Sequence, residues 1–173
     1  MNDMMRLVEP LIPALRRYAR SLLRDQAAAD DLVQYCLERV ITRWHQRRAD
    51  GDVRTWTFTI LHNLAMNQLR RSARRAGDVP IDNMDEVFAA QRPEQEDGLR
   101  VSDTLTALGR LSKELQSVLL LVSVEELSYA ETAAVLSIPV GTVMSRLSRA
   151  RDRLQSVLDA DSVATRSHLR RVK

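Results

Sequence analysis

Residues 127–154, LSYAETAAVLSIPVGTVMSRLSRARDRL, restrict what this chain can fold into more than any other stretch. Ser128 and Glu131 stand at the S-x-x-E spacing of a capping box, in which each side chain satisfies a backbone N–H at a helix start. A short helix with Ala130, Ala133, Ala134 and Leu136 follows, then a tight connection. Pro139 suits the first turn of a second helix, where its missing N–H is not needed. On that helix Val143, Leu147, Ala150 and Leu154 recur at i, i+4, i+7 and i+11, the stripe a packed helix buries. Thr142, Ser145, Arg146, Arg149 and Arg153 fall on the opposite stripe, where hydroxyls and guanidinium forks reach base edges and phosphates. Two short helices, the second with the polar and cationic face, follow the plan of a helix-turn-helix DNA reader. Ala133 and Ala134 allow the helices to approach closely, and Gly141 leaves the first-turn backbone open to a phosphate or the neighbouring helix.

The charge of the remaining chain is laid out in blocks. A formal charge of +3 says little by itself. Residues 54–75 hold five arginines and no acid, giving +5, and residues 138–173 hold eight basic and three acidic residues, again +5. Between them, residues 78–103 hold eight acids against Arg92 and Arg100, giving −6. Two cationic blocks around an acidic one predict two nucleic-acid-facing modules joined by a tether. Cys36 is the only cysteine, so neither an internal disulfide nor a cysteine zinc cluster is available, which fits a reducing cytoplasm. The first residues, MNDMMRLVEPLIPALRR, lack a signal-peptide pattern and no stretch approaches a membrane span, which predicts a soluble, cytoplasmic chain without membrane insertion.

Helical periodicity runs through both ends of the chain. Residues 7–24 predict a first helix carrying Leu11, Leu15, Tyr18, Ala19 and Leu22 inward, with Pro10 and Pro13 near its start. Asp30 and Asp31 are read as the start of a second, with Leu32, Tyr35, Cys36, Val40 and Ile41 buried and an end near His45. After ADGD at residues 49–52, residues 53–75 predict a third helix with Trp56, Ile60, Leu61 and Leu64 inward, its β-branched TWTFTI segment the weakest part. Periodicity fades over residues 76–98, apart from one helical turn expected near 87–90. It returns at Val101, breaks at residues 109–112 and then flows into the helix-turn-helix. No strand pattern alternates. The expected fold is all-α: two small helical domains, 1–76 and 100–173, joined by a flexible acidic linker over 77–99.

Three blocks of the chain, DLVQYCLERV at residues 31–40, RTWTFTILHNLAMNQLRR at 54–71 and the helix-turn-helix at 127–154, resemble the bacterial extracytoplasmic-function (ECF) sigma factors, in the family's order. The resemblance implies a sigma region 2 domain that binds core RNA polymerase and the −10 promoter element, and a region 4 domain that binds the −35 element. It places core polymerase contacts on Asp31, Leu32, Gln34, Glu38 and Arg39. It places −10 recognition and strand opening on the next loop and helix, with Arg54, Thr55, Asn63, Asn67, Arg70 and Arg71, Asn63 matching the family's asparagine. An unstacked base needs an amide to read its edge, cations along the backbone and apolar walls. Trp56 is assigned to the core, Phe58 stays open as a stacking surface or a core residue, and His62 stays undecided. The −35 element falls to Thr142, Ser145, Arg146, Arg149 and Arg151. The partners implied are core RNA polymerase, promoter DNA and an anti-sigma factor.

The chain departs from the family pattern at four places. Met144 stands where Lys or Arg is common, Ser148 occupies a variable contact position, Glu126 replaces a frequent glycine and Ser112 a frequent proline. No catalytic residue, cofactor or metal site is expected: His45, His62 and His168 are scattered and no activated nucleophile is evident. The competing reading is a stand-alone helix-turn-helix regulator acting as a dimer on paired half-sites. It accounts for the last block but not for the arginine- and asparagine-bearing helix over residues 54–75.

Overall fold

The computed structural model describes residues 2–48, 51–76, 104 and 106–170, with side chains from Asp3 to Ala160 within those limits. The linker over 77–99 and the helical turn expected at 87–90 lie outside the described residues. Everything regular among the described residues is helical.

Prolines and caps set the helix boundaries of the first lobe. The single helix expected from residue 7 is two, α1 (Asn2–Val8) and α2 (Ile12–Leu23), separated by a 3-10 turn at Glu9–Leu11. Pro10 has no N–H to continue the α1 ladder, whereas Pro13 is tolerated in the first turn of α2. Helix α3 (Gln26–Arg43) starts before Asp30 and Asp31: Asp25 caps it by accepting from the Ala28 N–H at 3.0 Å, and the alanines at 27–29 carry the helix through. Asp30 instead pairs with Arg20 at 3.0 Å. A 3-10 turn at Trp44–Gln46 closes α3 short of the expected end. Asp52 caps α4 (Val53–Arg75), accepting at 2.7 Å from both the N–H and the hydroxyl of Thr55. Burial works against the charge on Asp52, yet those hydrogen bonds hold its carboxyl below the usual range.

The β-branched start of α4 holds because its threonines bond locally. Thr57 and Thr59 donate to the carbonyls of Val53 and Thr55, at 2.7 and 2.8 Å. The buried stripe is Thr57, Phe58, Leu61, Ala65, Leu69 and Ala73, about one residue from the one expected. Trp56, Ile60 and Leu64 are only half-buried at its margin, Trp56 edge-on to Trp44 with centroids 6.1 Å apart. Phe58 is fully buried against Tyr18 and offers no stacking surface. On α3 the correction is larger. Tyr35 and Ile41, expected in the core, are 46% and 51% exposed, and Ala29 and Val33 replace them inside.

In the second lobe residues 106–109 are helical, the chain breaks where expected, and Ser112 caps α5 (Lys113–Ser123). The helix-turn-helix forms as read: Ser128 and Glu131 make both halves of the capping box on α6 (Tyr129–Leu136). A left-handed Ser137 ends α6, and α7 (Val140–Arg170) follows Pro139. Ala133 is buried, whereas Ala134 is exposed, beside Trp56 and Thr55 of the first lobe.

The two lobes share one buried cluster, with α2 packed on α5 and α4 on α6. Glu125, at the turn after α5, has a fully buried carboxylate that accepts from Arg17 Nε at 2.9 Å and Nη2 at 2.6 Å. The backbone carbonyl of Glu125 accepts from Arg54. Two further bonds cross the junction, Gln116 Nε2 to the Ser21 carbonyl at 2.7 Å and Lys113 Nζ to the Leu22 carbonyl at 2.8 Å. Burial, with Arg24 nearby, pushes the Lys113 ammonium down to about 8. Arg17→Met should strand the Glu125 charge and cost about 3 kcal/mol. Urea unfolding measures that loss, and small-angle scattering should show the lobes moving apart.

Candidate nucleic-acid interface

Helix α7 presents two different sides. Val143, Leu147 and Ala150 are buried to within 2% exposure, which anchors the helix against α5 and α6. Of the expected −35 residues, Ser145, Arg149 and Arg151 are exposed, with Arg153 beside them. Thr142 and Arg146 are half-buried on one flank, Arg146 leaning on Glu114 of α5 at 3.4 Å. The outward stripe is therefore turned from the expected one toward Gly141, Met144, Ser145, Ser148 and Arg149. By helical spacing alone Ser148 lies well away from the buried stripe and Arg146 only about 70° from it, so the expected outward set reached too far toward Arg146 and stopped short of Ser148 and Met144. A side chain built on Gly141 would meet nothing within 4 Å, so its backbone faces open space and not the neighbouring helix.

On α4, Asn63, Asn67, Arg70 and Arg71 are exposed and lie on one face at i, i+4, i+7 and i+8. Amides and guanidinium groups in that order can read an unstacked base and follow its backbone. Arg54 and Thr55 are not brought to that face. Both are half-buried, Arg54 sits on the opposite side of the helix from Asn63, and its guanidinium is engaged by Glu125.

A third outward face lies on α3. Asp31, Gln34 and Glu38 are exposed, with Tyr35 and Ile41 among them. Arg39 donates to the Tyr35 hydroxyl at 2.8 Å and lies over its ring at 4.9 Å. Leu32 turns inward, 6% exposed, so its side chain belongs to the core and not to this face. Sequence periodicity missed Tyr35 and Ile41 because they share the helical spacing of core residues.

Among the described residues no cluster of histidine, cysteine, aspartate or glutamate is placed to hold a metal ion, and no helix is long and apolar enough to cross a membrane. Cys36 is buried, its thiol pushed up to about 12 by burial and directed at the Thr57 carbonyl.

Residues 8–62, which contain α2 and α3, match the family described as the Sigma2 domain of PhyR, and residues 103–154, with the helix-turn-helix, match Sigma-70 region 4. Over 150 residues the chain is 33% identical to the ECF RNA polymerase sigma factor EcfG of Rhodopseudomonas palustris (strain TIE-1), spanning 87% of this chain and 82% of that one. The chain belongs to the ECF RNA polymerase sigma factors. Its fold is similar to the sigma factor RpoE in the RpoE–NepR anti-sigma complex from Bartonella quintana, at 32% identity and a TM-score of 0.76, covering 93% of this chain and 99% of that one. It is also similar to CnrH in complex with the cytosolic domain of CnrY, at 28% identity and a TM-score of 0.68, covering 91% and 88%. As a sigma factor the chain directs promoter recognition in transcription initiation.

The histidine left open by the sequence supports this sigma factor's α4 from beneath. His62 Nδ1 is 2.9 Å from the buried Tyr18 hydroxyl, and burial, with the Arg70 charge, pushes its ring from 6.5 down to about 4. It is a neutral structural group next to Asn63. Between about pH 6.5 and 4 the folded protein binds fewer protons than the unfolded chain, so acidification through that window removes stability, on the order of 3 kcal/mol when complete. His62→Gln should flatten this slope when urea midpoints are plotted against pH.

Proposed function

We propose that this ECF sigma factor works through three faces. The domain over 1–76 binds core RNA polymerase with the outward side of α3, namely Asp31, Gln34, Glu38 and Arg39, joined by Tyr35 and Ile41. The same domain captures the opened −10 strand on α4, where Asn63 reads a flipped base and Asn67, Arg70 and Arg71 guide the backbone. The domain over 100–173 holds the −35 duplex along α7 through Ser145, Arg149 and Arg151, with Thr142 and Arg146 on the flank, and the segment 77–99 tethers the two. No covalent step belongs to the chain; it supplies recognition and the interaction energy that offsets base unstacking.

The observation that carries this reading is the pair of exposed cationic faces, one on each lobe. A duplex reader and a single-strand reader on one chain fit promoter opening better than the paired half-sites of a dimeric regulator. Arg54 and Thr55 lie off the Asn63 face and form no part of this −10 surface while the lobes are docked, because Arg54 is held at the junction and Thr55 lies beside α6.

An anti-sigma factor controls this cytoplasmic protein. Support comes from RpoE, a sigma factor solved with its anti-sigma partner, to which the chain is similar across both lobes.

The test is co-elution of the purified protein with bacterial core RNA polymerase in competition with a primary sigma factor. Stoichiometric, competitive binding is expected; DNA binding as a dimer without polymerase would replace this reading with the stand-alone regulator. Within the complex, Arg149→Ala should weaken −35 binding by about 1–3 kcal/mol if it pairs a guanine edge. Asn63→Ala should leave duplex binding intact and lower open-complex formation measured by permanganate footprinting.

A further inference from the structure

Large apolar side chains lie open on the second lobe where its helix-turn-helix is most exposed. Met144 is 54% exposed, the highest value among the large hydrophobics of the described residues, with Val140 at 43% and Tyr129 at 39%. Val140 precedes Met144 by one turn of α7, and Tyr129 and Met144 line one shallow groove with Leu147, Ser148, Arg151 and Asp152. A single exposed apolar residue means little, but Val140 and Met144 on the first turns of α7, with Tyr129 at the start of α6 across the groove from Met144, form a patch that water alone does not favour.

The surroundings indicate what covers the patch. On the outward stripe Met144 is followed by exposed Ser145 and, one turn on, by exposed Ser148, short side chains that leave it 54% exposed. Exposed Arg149 and Arg151 rim the same stripe, so the partner that settles here is a polyanion. A thioether cannot donate a hydrogen bond and carries no charge, so Met144 neither pairs with a guanine edge nor holds a phosphate. It offers a polarizable apolar surface. In the major groove the apolar feature of a base pair is the C5-methyl group of thymine.

We propose that Met144, with Val140 behind it, reads a thymine methyl group within the −35 element and so sets a base preference for this sigma factor. This rests on α7 being the −35 helix. Met144→Lys replaces the apolar contact by a phosphate-seeking cation and should relax that preference while leaving overall affinity high.

The experiment starts from duplexes selected by the full chain assembled with core RNA polymerase. Each thymine of the selected −35 element is then replaced by uracil, which lacks only the methyl group. At one position this should weaken binding by the wild-type protein about fourfold, the equivalent of one buried methyl group. Met144→Ala should bind the thymine and uracil duplexes equally, with unchanged circular dichroism. Wild-type binding indifferent to every uracil, a selected element without thymine, or uracil sensitivity retained by Met144→Ala overturns the proposal. Retention of a selected −35 element by Arg149→Ala at full affinity, or selection of no −35 element, overturns instead the assignment of α7 on which it rests.

Discussion

A buried carboxylate organises the molecule. Glu125 lies at the turn between α5 and the helix-turn-helix, and its two oxygens are taken by Arg17 from the other lobe. A charge removed from water is costly unless its hydrogen bonds are met, so the lobes fit together only in the register that brings Arg17 to it. Gln116 and Lys113 then cap carbonyls of α2 near its C-terminal end, and the apolar surfaces of α4 and α6 close against each other. The pair contributes orientation more than stability, since the apolar cluster running through both lobes is the larger favourable term. Glu126 shows how firmly this turn is held: it is a non-glycine residue with φ of 54°, a conformation that costs about 1 kcal/mol.

Much of this was legible in the sequence where local chemistry decides structure. The capping box at Ser128 and Glu131, the buried stripe at Val143, Leu147 and Ala150, and the break before Lys113 all form as their residue types dictate. The asparagine and arginine face of α4 was legible for the same reason, because polar residues at i, i+4 and i+7 share a side whatever the core does. Legibility failed where a residue's fate depends on a partner distant in sequence. Tyr35 and Ile41 have the composition of core residues, and only the packing of α3 on α2 and α4 turns them outward. Asp30 resembles a helix start, but its partner is Arg20, ten residues away on another helix, while Asp25 does the capping.

The junction was invisible for a related reason. Nothing local marks Arg54 as a residue that reaches Glu125, 71 positions on. It belongs by sequence to a cationic block and by structure to an interdomain bond. The outward stripe on α7 differs in kind: 3.6 residues per turn already place Arg146 at the edge of the buried stripe and Ser148 on the far side, and the contact of Arg146 with Glu114 agrees with that placement.

Arg54 carries a thermodynamic consequence. One Nη2 donor of its guanidinium is given to the Glu125 backbone carbonyl in the closed arrangement. Any ligand that draws Arg54 away must loosen the docking of the lobes, and whatever clamps the lobes together must weaken that ligand's hold by the same factor, because linkage between two equilibria is reciprocal. The two processes are therefore antagonists in free energy whichever occurs first, and a single side chain is enough to couple them.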